Sequence, residues 1–242
     1  MLTLENIRWN LPDGEELLKG ISFSVQPGKL TVITGPNGGG KTSLAKLIAG
    51  LETPSGGRIL LDGQDITGWD ITERAKNGIA FAFQQPVCFK GLSVQDLLET
   101  SAGSALSEER LCELLEYVGL CSQEYCGRPM DEKLSGGERK RIEIATVLAR
   151  NARYLIFDEP EAGIDLWSFS SLIETFRDLK EDQKHALLII SHQERILEIA
   201  DDIIVIADGK IRSEGSAETV FPELFCDEKK TICPIGKGGC NS

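Results

Sequence analysis

The sequence predicts an α/β fold: a largely parallel sheet with an antiparallel β-subdomain beside it and an inserted helical lobe. Three observations predict it. A short apolar strand at 30–34 runs into a glycine-rich loop and then a helix, helical periodicity takes over between 94 and 150, and strands alternating with helices return after 154. At 242 residues, with 41% hydrophobic and 26% charged residues, the chain has the balance of an ordinary globular protein and can bury a core.

Each element has its own reason. Residues 2–9 and 21–25 alternate enough to form antiparallel strands, with Pro12-Asp13-Gly14 as a turn between them. The strand at 30–34 is short, apolar and β-branched, and the helix that follows its loop, 42–49, is closed by Gly50. A strand follows near 58–62, and another at 78–83 ends abruptly at Gln84-Gln85-Pro86. Leucines and isoleucines at i, i+3, i+4 then mark helices at 96–100, 108–118 and 138–149. Strands at 154–157, 187–190 and 203–207, separated by helices at 166–179 and 193–199, restore βαβ alternation, and Asp208-Gly209 closes a hairpin into 210–213. The expected division is an α/β core with its β-subdomain at 1–85 and 151–215, a helical lobe at 86–150, and a tail at 216–242 whose last segment, 226–242, is expected to be flexible.

Composition excludes several functions. The formal charge, 26 − 38 = −12, repels nucleic-acid phosphates and anionic lipid, so a nucleic-acid ligand is disfavoured. Apolar stretches such as 186–190 and 203–207 fall far short of the roughly 18 residues a membrane span needs, so no direct membrane insertion is expected. Residues 1–10 lack a basic region followed by an apolar one, which leads to the expectation of a cytoplasmic protein. Seven cysteines is an odd count without framework spacing, which excludes a disulfide scaffold. Cys226, Cys233 and Cys240 are evenly spaced near the end; they read either as contacts to a metal or cluster or as plain thiols on a flexible end.

Chemistry is concentrated in three places. Gly35-x-x-x-x-Gly40-Lys41-Thr42 matches the P-loop pattern, in which backbone N–H groups face phosphates, Lys41 reaches the β and γ oxygens and Thr42 ligates Mg²⁺. The loop residues expected to bind nucleotide are Gly35, Asn37, Gly38, Gly39, Gly40, Lys41, Thr42 and Ser43. Glycine is required there because a Cβ would hold the backbone away from the phosphates. Tyr154 to Glu159 is an apolar strand ending in two acids, which places Asp158 beside Mg²⁺ and Glu159 next to the water that attacks the γ-phosphate. Leu134-Ser135-Gly136-Gly137-Glu138 precedes a strong helix, with Ser135 available as a helix cap or as a phosphate donor. Two separate phosphate sites are hard to use on one nucleotide within one chain, which points to a symmetric dimer.

P-loop, signature and acid pair, covering about residues 1–215, together resemble the ABC-type ATPase family. That resemblance implies a P-loop NTPase core, ATP and Mg²⁺, and a homodimer bridged by ATP in which Ser135 and Gly137 act on the partner's nucleotide. It also implies that Gln84 contacts Mg²⁺ and the attacking water, that Glu161-Ala-Gly163-Ile-Asp165 is the D-loop, that His192 contacts the γ-phosphate, and that Trp9 is the candidate to stack on adenine. A structural role for His192 and a core or surface role for Trp9 stand as the alternatives.

Within the family, three stretches resemble the SufC ATPases of iron–sulfur cluster assembly. They are 73–87 with Glu73-Arg74-Ala75, the signature's continuation Lys140-Arg141-Ile142-Glu143, and His192-Gln-Glu-Arg195-Ile-Leu197. The resemblance implies a soluble iron–sulfur scaffold partner of the SufB/SufD kind. Pro160 after Glu159 is shared with many transporters, and the ATP-binding subunit of a membrane importer is the alternative.

Overall fold

In the computed structural model, residues 1–85, 89, 91–131 and 133–231 are described, with 225–231 by backbone alone. Strands β1 (Leu2–Asn10) and β2 (Glu16–Val25) form the expected antiparallel pair. With β4 (Gly56–Leu61) and the two-residue β5 (Gln64–Asp65) they make a sheet in the order β2-β1-β4-β5. The second sheet combines β3 (Leu30–Thr34), β6 (Ile79–Ala82), β7 (Tyr154–Asp158), β8 (Ala186–Ile190), β9 (Asp202–Ala207) and β10 (Lys210–Ser216) in the order β10-β9-β3-β8-β7-β6. All its pairings are parallel except the β9–β10 hairpin.

Both faces of the parallel sheet are covered, which is why its strands read as continuous apolar runs. Successive side chains divide between two cores, as the period of two requires. Leu155, Phe157, Leu187 and Ile189 pack with the helices, whereas Tyr154, Ile156, Leu188 and Ile190 face the core that α1 (Lys41–Ala49) shares with the antiparallel sheet. Helices α3 (Val94–Ala102), α4 (Glu108–Tyr117), α5 (Ser122–Tyr125) and α6 (Gly136–Ala149) form the helical lobe. The first core runs unbroken from the lobe into the sheet, through Leu97, Leu114, Ile144 and Leu148. Helices α7 (Leu166–Glu181) and α8 (Glu194–Glu198) complete the βαβ units.

A short helix α2 (Ile71–Lys76) precedes β6. It starts at a capping box in which Asp70 accepts from the Glu73 N–H and Glu73 from that of Asp70. Its Arg74 is 1% exposed and donates to the carbonyls of Leu47, Ile48, Ile66, Thr67 and Trp69, tying the end of α1 to the β-subdomain.

The tail begins with an element that the sequence reading did not assign. Ala217–Thr231 forms helix α9, which packs on β9, β10 and α8, with Val220 buried in the first core. Cys226 falls within this helix, and Cys233 and Cys240 lie outside the described residues. Among the described residues, no helix is long and apolar enough to cross a membrane.

Candidate active site

The glycine loop is shaped by what packs behind it. Gly35 has φ +128°, and a Cβ there would lie 2.0 Å from the Ile206 carbonyl oxygen; the same carbonyl would be 3.1 Å from a Cβ on Gly39. The loop is thus pressed onto β9, while a Cβ on Gly38 would point into open space. Gly40, at φ +94°, turns the chain into α1 without a side-chain cap, leaving the N–H groups of the first turn free for an anion. Lys41 curls back, donating from Nζ to the carbonyls of Gly35 at 2.7 Å and Pro36 at 2.9 Å. Burial lowers its pKa, against the opposing pull of Glu159 and Asp158.

The end of β7 faces this loop. Asp158 is 1% exposed, and its Oδ1 accepts from the Thr42 hydroxyl at 3.2 Å. Burial raises its pKa; the Thr42 bond opposes this and the Glu159 charge reinforces it. Glu159 adopts φ +46°, rare for a residue with a Cβ, and is held there as its N–H donates to the Ile190 carbonyl at 3.0 Å. Its Oε2 accepts from Gln84 Nε2 at 2.7 Å. Leu17, Asn37, Gly38, Gly40, Lys41, Thr42, Ser43, Gln84 and Glu159 line one open cleft of about 360 Å³.

His192 sits at the rim, near enough to Lys41 and Glu159 to feel both charges. Partial desolvation and then the Lys41 ammonium lower its pKa, so the ring is neutral near pH 7. Ser191 beside it donates to Glu161 Oε1 at 2.6 Å, and Glu161 Oε2 is buried without a hydrogen-bond partner. The D-loop and the histidine loop are therefore joined by a carboxyl group whose pKa burial raises.

Two expected binding residues stand apart from the cleft. Ser135 is exposed at the start of α6, its hydroxyl accepting from the Glu138 N–H at 3.2 Å while Glu138 Oε2 accepts from the Ser135 N–H at 2.7 Å. Neither Ser135 nor Gly137 lines the cleft that holds Lys41, and Gly137 instead packs on the D-loop, where a Cβ would lie 2.9 Å from the Gly163 carbonyl. Trp9, expected either to stack on adenine or to serve the core or surface, packs half-buried against the β-subdomain core opposite Leu18 and does not line this cleft, whose apolar lining residue is Leu17. The sequence held no signal for Leu17, because both Leu17 and Leu18 lie against Gly40 and only the strand's register decides which of the two lines the cleft.

The residues present fit Mg²⁺ and a nucleotide phosphate. A desolvated carboxylate with a hydroxyl beside it supplies hard oxygen donors, and a lysine bonded only to loop carbonyls is ready to exchange them for phosphate oxygens. Among the described residues, no group of three or more His, Cys, Asp and Glu forms a complete metal cage, as expected for an ion held mostly by phosphate and water.

Fold and cleft define a P-loop nucleotide-hydrolysing ATPase, and similarity to known proteins sharpens that class. The ABC transporter family matches residues 18–162. An uncharacterised ABC transporter ATP-binding protein of Methanocaldococcus jannaschii is 38% identical over 232 residues, covering 92% of each chain. The sulfate/thiosulfate import ATP-binding protein CysA of Synechocystis is 36% identical over 210 residues, but the chain spans only 58% of its length. A dimeric bacterial ABC transporter cassette superposes with a TM-score of 0.81 at 25% identity, covering 90% of this chain and 99% of the cassette. The same cassette in a post-hydrolysis state bound to ADP and Pi gives 0.80. This chain belongs to the ABC transporter ATP-binding family. It is an Mg²⁺-dependent ABC-type ATPase.

Proposed function

We propose that the chain is the ATPase subunit of a soluble iron–sulfur cluster assembly machine, SufC-like, working in the cytoplasm as a homodimer bridged by ATP. In this reading the loop 35–43 cradles the phosphates and Lys41 neutralises the β and γ oxygens. Thr42, Asp158 and Gln84 hold Mg²⁺, which when bound offsets charge on the phosphate oxygens. Glu159 orients and deprotonates the attacking water, a role suited to a carboxylate held at one angle by its strained backbone and by Gln84. His192, neutral near pH 7, donates a hydrogen bond to the γ-phosphate. Ser135 and Gly137 meet the partner chain's nucleotide at the N-terminus of α6. Opening and closing of the dimer then moves a scaffold protein of the SufB/SufD kind.

The observation that carries the choice of partner is a meeting of two SufC-resembling stretches. Lys140 and Glu143 of the Lys-Arg-x-Glu stretch are buried against Phe83, which lies within the 73–87 stretch. A second reading, the ATP-binding subunit of a membrane importer, is favoured by the CysA relatives, named as import proteins and 33–36% identical. One experiment separates them: purify the tagged chain from its native cell under gentle conditions. A soluble complex carrying iron and acid-labile sulfide supports the scaffold reading; co-purification with an integral membrane protein overturns it.

A further inference from the structure

Lys140 is 0% exposed, yet it carries an ammonium into the core. Its Nζ donates to the Phe83 carbonyl and to the Gln84 carbonyl at 3.4 Å. One turn further along α6, Glu143 Oε1 accepts from the Phe83 N–H at 2.8 Å, while its other oxygen lies 3.4 Å from Lys140 Nζ. Both backbone groups of Phe83 are therefore held by a single helix, and the Phe83 ring is wedged edge-on against Phe81 at 4.9 Å. The next side chain is Gln84, whose amide reaches Glu159 at 2.7 Å. An unbroken line of bonds joins the helix that Ser135 caps to the carboxylate in the cleft.

Stability does not require this arrangement. A buried ion pair is costly to desolvate, and an apolar pair of similar volume commonly packs as well or better. An apolar pair could not grip a strand end by its N–H and its carbonyl at once. We propose that Lys140 and Glu143 are positioning residues for hydrolysis, a buried clasp that makes the backbone at Gln84, and so its amide, move in register with the signature helix. The clasp thereby holds Gln84 in its 2.7 Å bond to Glu159, and any movement of α6 when the Ser135 turn engages a nucleotide shifts Phe83, and Gln84 with it, relative to Glu159 and the water. The inference rests on the proposed role of Gln84 at the reacting centre.

A double-mutant cycle tests it on the purified full-length ATPase. Lys140→Met/Glu143→Met removes both charges together and leaves neither orphaned. The expected result is a fall of about tenfold in kcat, the scale of a slightly misplaced reacting group. KM for ATP and the affinity for a fluorescent ATP analogue should stay within about twofold, because neither residue touches the loop 35–43; the melting temperature should fall as the Phe83 N–H and carbonyl lose their partners, so kcat is read well below it. In a Gln84→Ala background the same pair should lower kcat by less than about twofold, because the group it positions is gone. An undiminished tenfold loss in that background, or an unchanged kcat in the otherwise native chain, overturns the clasp. If Gln84→Ala itself keeps the native kcat, the reading of Gln84 falls first and the clasp with it. Should the double substitution not fold, Lys140→Met alone releases the Phe83 carbonyl while Glu143 still accepts from the Phe83 N–H, and is carried through the same cycle with the same criteria.

Discussion

Glu159 is held from two directions, by its N–H to Ile190 and by the Gln84 amide, so a change of chemistry need not change its place. Glu159→Gln keeps the shape and removes the proposed base. It should cost about 10² to 10⁴ in kcat, about 3 to 5 kcal/mol of barrier, with ATP still bound. Steady-state hydrolysis alongside nucleotide binding checks this, and an unchanged rate would sink the assignment. Lys41→Ala should differ by weakening binding and turnover together, because its charge meets phosphate in ground and transition states alike. At the signature turn, the Glu138 carboxyl is held down to about 2, first by the Tyr125 hydroxyl and then by the backbone N–H and hydroxyl of Ser135. A carboxyl depressed in the folded state contributes its stability in full above the unfolded value of 4.5 and loses it as the pH falls toward 2. The melting temperature should therefore decline below about pH 5, and Glu138→Gln should flatten that decline. Identical slopes for the two proteins would show that this cap does not titrate in the window.

Among the elements, the small α2 has an effect out of proportion to its length, because Arg74 donates to five carbonyls, two of which, Leu47 and Ile66, also accept from the Gly50 and Trp69 N–H groups. Desolvation alone brings its pKa to about 10, so it stays charged at any ordinary pH. Arg74→Met should fill most of the space but take the donor from the Ile48, Thr67 and Trp69 carbonyls, at a cost of about 3 kcal/mol in urea unfolding; a loss under about 1 kcal/mol would mean that water replaces the guanidinium. This helix also shows where sequence reading stops. Its Asp70-x-x-Glu73 box was present in the sequence, yet six residues give too little periodicity to announce a helix, and β5 and α5 are shorter still. Helix α9 was hidden by a polar composition and by Pro222, since its packing against β9 and β10 is a tertiary fact. The parallel strands were legible because two covered faces impose an apolar run, and the loop 35–42 and the acids 158–159 because their chemistry is contiguous in sequence. Lys140 and Glu143 were legible only as a pattern; that their face of α6 meets a strand end depends on how the lobe packs.

At the scale of the whole molecule, the cleft is only half equipped. On the proposed reading, the groups that grip phosphate from one side gather near Lys41, whereas the exposed N-terminus of α6, the second anion-binding feature, lies outside that cleft. Two copies placed head to tail complete two sites, and the dimeric form of the related cassette is the precedent for such pairing. The arrangement makes a prediction that no monomeric enzyme could satisfy. A Lys41→Ala chain has a failed loop and a sound signature, and a Ser135→Arg chain has the reverse; each alone should be nearly inactive. In a mixed dimer one composite site has both defects and the other has none, so mixing should restore activity. With random pairing and independent sites, the recovery should be on the order of a quarter of the native rate. Sedimentation of Glu159→Gln with ATP, which binds without turning over, should show the dimer directly. No recovery on mixing, in samples that sedimentation shows to contain dimers, would mean either that both sites must be sound or that Ser135 serves its own chain. Titrating native chains into each variant decides between these: a half-sound dimer stays silent if both sites are required, but keeps half its activity if each chain is complete in itself.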